Sequence, residues 1–212
     1  YSDYKIPFWM NTRAETINEY RAAGLEEMNM LRMNIGIEHG NYDYRRKYLK
    51  RNVKNEVQIK AFEIAAQHKY ASCANSIIGM PDETRDLIFD TINFVRKLPD
   101  NIDATGAFIF APYHGTPLRT YAIEKGYIKE EEICSLSNTS ASMLNMPTIS
   151  KDEISSLAKV FSLYTKFPKN RWSDIKIAEK NDDEGKKMME KLGKEFDETY
   201  RQYKASALDL HD

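Results

Sequence analysis

The chain has 212 residues, 42% of them hydrophobic, enough for one domain with a real core and an appendage. Its 31 lysines and arginines nearly balance 32 aspartates and glutamates, which gives no electrostatic case for a nucleic-acid or membrane-surface protein. No apolar run is long enough to span a bilayer, no signal peptide is evident, and Cys73 and Cys134 form neither a close-spaced metal motif nor a disulfide framework. A cytoplasmic location, with no nucleic-acid and no membrane partner, is the expectation.

Tyr1 is not an initiator methionine, and Tyr4 to Met10 already reads as the approach to a strand. The chain is therefore expected to be cut from something longer, although a removed tag or leader would look the same. A first strand is predicted over residues 7–11, followed by a helix capped by Thr12 with Glu15 as capping-box partner, carrying Ile17 and Tyr20 and stopping at Gly24. A second strand covers 28–37 and ends in Gly36 to Gly40. Asn41 or Asp43 opens a basic helix through Arg51, and a further helix runs over 56–68. The third strand covers 71–78, its helix 82–98, the fourth strand 104–110, and a short helix 117–125. Residues 128–148 are polar and irregular, with SLSNTSAS in the middle. Ser150, with Glu153, caps a helix that stops before Pro168, and a last helix covers 182–204 with an apolar stripe of Met189, Leu192, Phe196 and Tyr203.

Strand–helix alternation with nearly continuous apolar strands implies a parallel sheet covered by helices. Right-handed crossovers place every strand's carboxyl end on one rim, where ligands sit in such folds. Gly79 and Pro81 make a stiff turn, and a flat ligand could lie against Ile77 and that backbone; the plain alternative is a tight turn whose Asp82 and Glu83 complement the helix dipole. Glu38, between glycines at a strand end, is costly if buried alone. It either accepts hydrogen bonds from a ligand amine or hydroxyl, or pairs with Arg13. The loop Pro112-Tyr113-His114-Gly115-Thr116-Pro117 presents Tyr113 and His114, a lone loop histidine being more often plain surface than catalytic. The run Arg45, Arg46, Lys47, Lys50, Arg51 reads as a solvated helix face, with anion binding as the minor option.

Taken in order, RMNIGIEHGN, RNVKNEVQIKAFEIAAQHKYASCANSIIGMPDETRDLIFDTI and AFIFAPYHGTPL resemble the second half of a radical S-adenosylmethionine (SAM) catalytic barrel. The nearest flavour is the cobalamin-dependent branch, broadly known as Fe-S oxidoreductases, and the resemblance covers residues 7–127. It implies an α/β fold: a partial TIM-like (β/α) barrel of parallel strands over residues 1–127, about four strand–helix units, and a mostly helical C-terminal extension over 128–212. It further implies that Ile77, Ile78 and Gly79 pack against the SAM adenine and that Glu38 contacts the methionine or ribose part. Arg13 would meet the SAM carboxylate, and Ala111 and Tyr113 lie near the adenine and the substrate side.

One departure matters. The family's [4Fe-4S] cluster is held by a Cys-x3-Cys-x2-Cys loop, and no such motif is present; two distant cysteines cannot replace it. The chain is thus expected to be a C-terminal fragment of an enzyme that uses SAM, [4Fe-4S] and, in this branch, cobalamin. The fragment alone would be inactive and hold no cofactor tightly. Its partners would be the missing N-terminal part of the parent chain and an unknown substrate. Two other readings stand beside this one: a non-catalytic half-barrel binding or scaffold module, and an unrelated α/β-barrel enzyme using Glu38 and His114 as acid and base. In a partial barrel the first strand exposes an edge that invites pairing with another copy. Self-association, or a rearranged first segment, is the expected outcome, and a clean monomer by light scattering with that strand ordered would count against it.

Overall fold

The computed structural model describes residues 3–4, 6–103, 106–134 and 141–200. Four parallel strands, β1 (Phe8–Arg13), β2 (Met30–Glu38), β3 (Ala71–Ile78) and β4 (Ala107–Ile109), lie side by side in chain order. Between and after them run α1 (Glu19–Glu27), α2 (Tyr42–Leu49), α3 (Asn55–Ala65), α4 (Arg85–Val95) and α5 (Pro117–Glu124). Helices α6 (Lys151–Lys166), α7 (Trp172–Ala178) and α8 (Asp183–Thr199) follow. The expected α/β alternation with a helical C-terminal segment is the fold observed.

Several local expectations need correction. Thr12 belongs to β1 and caps no helix; its hydroxyl meets that of Thr16 at 2.7 Å, and Asn18 caps α1 by accepting from the Arg21 amide. Gly24 lies inside α1 and does not end it. Helix α4 begins only at Arg85, with Thr84 accepting from the Leu87 amide, so Asp82 and Glu83 are turn residues and not the acidic first turn of a helix. Asn41 caps α2, Ser150 accepts from the Glu153 amide at the start of α6, and Asp182 caps α8. The expected start of the fourth strand at Ala104, the centre of SLSNTSAS and residues 201–204 lie outside the described residues.

Among the described residues, the sheet is covered on one face only. Met33, Ile35 and Ile37 of β2, and Ala74 and Ile78 of β3, are fully buried beneath the helices. On the other face stand Trp9, Asn11 and Arg13 of β1, Arg32 and Asn34 of β2, Asn75 and Ile77 of β3 and Phe108 of β4, exposed or half-buried. The strands therefore alternate, against the expectation of continuous burial, because no layer among the described residues covers this second face. Asn34 donates to Asn11 across β2 and β1 at 3.0 Å, and Arg32 reaches Asn34 and Asp103. β1 pairs with β2 on one side and with no strand among the described residues on the other.

The C-terminal helices join the same core as the sheet. Ile154, Leu157, Phe161, Tyr164, Phe167, Ile175 and Leu192 are all buried in it. Arg85 of α4 binds Glu153 at 3.0 Å and Glu179 at 2.7 Å, and Arg96 donates to the carbonyls of Tyr164, Thr165 and Phe167, which the end of α6 leaves without helical partners. Gly79, at the end of β3, adopts φ +77, and a Cβ built there would lie 2.9 Å from Ile154 Cγ2 of α6. Gly79→Ala would meet both the left-handed backbone cost and this clash, so a loss of about 2–4 kcal/mol in a urea melt is expected. Ile154→Ala in the same chain should make the added cost of Gly79→Ala smaller, which a double-mutant cycle reads directly.

Candidate functional site

The site is assembled at the carboxyl ends of the strands, around the turn Gly79-Met80-Pro81-Asp82-Glu83 that leads from β3 to α4. Glu83 points inward and is fully buried. One of its oxygens accepts from the Gly79 and Met80 amides, and the other lies 3.0 Å from His39 Nε2. The Asn41 amide donates to His39 Nδ1 at 3.0 Å, so Nε2 carries the hydrogen given to Glu83. Tyr44 stacks on His39 with ring centres 4.3 Å apart and donates to the Pro81 carbonyl at 2.7 Å. Buried Arg45 donates to the His39 carbonyl and to Asn55. These bonds knit the end of β2 to the end of β3.

Asp82 points the opposite way, out of the turn, with φ 60. Its Oδ2 accepts from Tyr48 at 2.7 Å and from Tyr121, and its Oδ1 from Tyr127. Burial works to raise the Asp82 carboxyl, and the bonds from Tyr121, Tyr127 and Tyr48 outweigh it, leaving the carboxyl below its ordinary value. The phenols respond in the other direction. Burial and the bond to Asp82 push Tyr48 up to about 12, and the bond to Asp82 raises Tyr121 and Tyr127 to about 12 as well. All three remain protonated donors at neutral pH.

A second cluster lies on the uncovered face of the sheet. Glu38, with φ 64, folds back over Gly36: a Cβ at Gly36 would lie 2.5 Å from Glu38 Oε1. With a side chain at Gly36 the carboxylate would have to move. Its partner is Arg51 at 3.3 Å, not Arg13; Arg51 also binds Glu15 at 2.9 Å, and Glu15 in turn binds Arg13 at 2.6 Å. Burial pushes the Glu38 carboxyl up, against the lowering pull of Arg51 and Arg13. Arg51 Nε is buried without a hydrogen-bond partner. This part of the expected basic helix face is thus neither solvated nor helical: Arg51 is buried beyond the end of α2.

Between α2 and α5 opens a cavity of about 550 Å³, within the range of small-molecule sites. Ile77, Phe108 and Phe110 line it from the sheet side, Tyr48, Leu49 and Lys50 from the end of α2, and Ala111, Tyr113, Thr116 and Leu118 from the loop and α5. Phe108 and Tyr113 are each 49% exposed and give the cavity an open aromatic side. Arg119, buried under the loop, donates to the carbonyls of Pro112, Glu130 and Glu132 and holds the loop in place.

Of the residues expected from sequence, Ile77, Ala111 and Tyr113 come together in this cavity. Glu38 and Arg13 meet in the charged cluster, joined through Glu15 and Arg51. Ile78 is fully buried on the helix-covered face, and Gly79 is closed on its Cβ side by Ile154, so both can offer a ligand only backbone. His114 is exposed on the loop, outside the cavity lining. Sequence reasoning did not find the convergence of Tyr48, Tyr121 and Tyr127 on Asp82, nor Arg51 as the partner of Glu38. Their spacing carries no local pattern; the only signal was the excess of tyrosine, 13 in the chain.

A parallel α/β sheet with a ligand-sized cavity at its strand ends is an arrangement in which such folds bind ligands. The model of the radical SAM superfamily matches residues 2–95, the stretch that carries β1, β2, β3 and α4. A relative from Pyrococcus horikoshii, described as an uncharacterized methyltransferase, is 31% identical over 118 residues, 56% of this chain and 25% of the relative. The chain therefore spans about a quarter of the length of that curated relative. Among solved structures, the radical SAM methyltransferase TsrM from Kitasatospora setae with tryptophan and aza-SAM matches 57% of this chain and 23% of that chain, at 17% identity and TM-score 0.46. TsrM with cobalamin and a [4Fe-4S] cluster matches 90% and 45%, at 11% identity and TM-score 0.47. The radical SAM coproporphyrinogen III oxidase HemN from Escherichia coli matches 66% and 30%, at 18% identity and TM-score 0.45. Likeness at these levels says nothing of chemistry.

The pH dependence of stability should expose the cost of Glu38. Its folded-state pKa lies above the unfolded one, so its contribution is full below the unfolded value and is lost as pH rises through the folded value. Glu38→Gln leaves Arg51 paired with Glu15. It should melt higher than the wild type at pH 7, with the gap closing as pH falls through the raised value towards 4.5. A wild type that melts higher at pH 7 would show that the Arg51 pair outweighs burial.

Proposed function

We propose that the chain forms the SAM- and substrate-facing part of a radical SAM enzyme, with the iron–sulfur cluster held by residues outside these 212. The observation that carries this reading is the coincidence of the family match with the cavity: β2 and β3, which end at Glu38 and beside Ile77, lie within the matched stretch. The apolar walls formed by Ile77, Phe108, Ala111 and Tyr113 suit a flat adenine, and Ile78 and Gly79 follow Ile77 directly in the chain. Glu38 is an acceptor for an amine or a ribose hydroxyl, and Arg13 a partner for the carboxylate of the methionine part.

A [4Fe-4S] cluster does not fit the chain itself. It needs a set of thiolates, the chain has two cysteines, and among the described residues no group of three His, Cys, Asp or Glu could hold a metal. Reductive cleavage of SAM is therefore assigned to the whole protein, and this chain alone would not perform it. Methyl transfer is the favoured reaction class, in line with the description of the Pyrococcus relative, and the sequence resemblance adds cobalamin as a further cofactor of the whole protein. In this reading residues 1–127 are the barrel part and 128–212 its helical companion. The partner of the uncovered sheet face and of the β1 edge is the part of the protein that carries the cluster cysteines. No helix is long and apolar enough to cross a membrane among the described residues, and a cytoplasmic protein is the proposed setting.

The test is iron and acid-labile sulfide content, with an EPR spectrum, of the longest open-reading-frame product containing this sequence, purified without oxygen. A reducible [4Fe-4S] signal that changes on adding SAM is expected. A well-folded product without iron would overturn the reading in favour of a non-catalytic binding module.

A further inference from the structure

Asp82 adopts a backbone conformation in which glycine is the unstrained residue, φ 60. Strain of this kind persists where the side chain has a task that the surroundings enforce. The task is visible in the donors that reach it. Tyr48 comes from the end of α2, Tyr121 from α5 and Tyr127 from just beyond α5. Tyr48 and Tyr121 bind the same oxygen, and their rings meet edge to face with centres 5.8 Å apart. Those two elements are also two walls of the cavity: α2 brings Tyr48, Leu49 and Lys50 up to its mouth, and α5 opens with Pro117 and Leu118. Lys47 and Lys125 lie over the outer ring faces of Tyr48 and Tyr121, at 4.6 and 5.5 Å.

We propose that Asp82 is a positioning residue for the cavity: a single carboxylate oxygen clasps the α2 wall to the α5 wall and so sets the width that a ligand meets. Apolar packing could hold the two helices together, but it is not directional. Bonds from phenols to a carboxylate fix both distance and angle, which is what a wall facing a flat ligand requires. The turn that carries Asp82 is itself fixed by Glu83, so the clasp is anchored to the rigid end of β3, next to Ile77 on the cavity floor. Only the identity of the ligand rests on the SAM reading; the clasp is a property of the unliganded chain.

The experiment uses Asp82→Gly and Tyr121→Phe in the full chain, without ligand. Glycine relieves the backbone at this position but removes three phenol bonds, so Asp82→Gly should melt below the wild type in a single cooperative transition. Amide hydrogen exchange should nevertheless accelerate about tenfold or more at residues 48–50 and 118–120 together, with β2 and β3 unchanged. Alkaline titration at 295 nm should show phenols leaving the range near about 12 for the ordinary value of about 10. Adenosine, as the probe of the cavity, should bind about tenfold more weakly, because the two walls must then be ordered by the ligand itself. Tyr121→Phe keeps the ring and removes one donor; it should loosen the same two segments to a smaller degree, and it decides the matter if Asp82→Gly fails to fold. Exchange that rises evenly over the whole chain, or that leaves both walls as in the wild type, would overturn the clasp. Adenosine binding to neither wild type nor variant would overturn the adenine reading instead, with exchange alone then judging the clasp.

Discussion

The buried carboxylate of Glu83 is the interaction on which the rim depends. An unpartnered carboxylate in a core would cost several kcal/mol, of order 3–5 when one partner of a buried pair is removed. Glu83 avoids this by accepting from two amides of its own turn and from His39, whose other nitrogen is tied to the Asn41 amide. The ring of His39 is in turn held by Tyr44, whose hydroxyl returns to Pro81. The result is a closed circuit between the ends of β2 and β3. It fixes the direction of β3 as it leaves the sheet, and it forces the neighbouring acid to face outward. Two adjacent carboxylates thus serve opposite sides of one turn, one making the fold and one reaching the cavity walls.

Glu38 is the contrasting case. Its carboxyl is pushed upward by burial despite two arginines nearby, and the glycine beneath it removes the side chain that would otherwise cover that part of the strand. A fold selected for stability alone would place an apolar residue here. The uncovered face around it repeats the pattern, with amides and guanidinium groups where a filled barrel would carry branched apolar side chains.

The parts legible from sequence are those set by local chemistry. β3 ends where a glycine and a proline interrupt an apolar run, and Asn41, Ser150 and Asp182 cap helices as residues of their type do. The pattern failed where a local signal had a competing use. Thr12 and Glu15 look like a capping box, but Thr12 is taken into β1 by pairing with β2, and Glu15 is taken by Arg51. Asp82 and Glu83 look like the first turn of a helix, but the circuit around His39 claims one and three phenols claim the other. Helix α7 was missed because Pro168 reads as a stop, and seven residues are too few for periodicity to show. The cavity itself was legible only through Ile77, Ala111 and Tyr113. Its α2 wall comes from a helix whose sequence reads as plain basic surface.

The C-terminal helices have a consequence in time as well as in space. Arg85 finds Glu179 only 94 residues further along the chain, and the turn at Gly79 is closed by Ile154. At a synthesis rate of about 5–20 residues per second, several seconds separate the appearance of the β3 turn from that of the helices that seal it. During that interval the sheet has an apolar face with part of its cover absent, so the core around Ile78 and Ile109 can close only once α6 has been made.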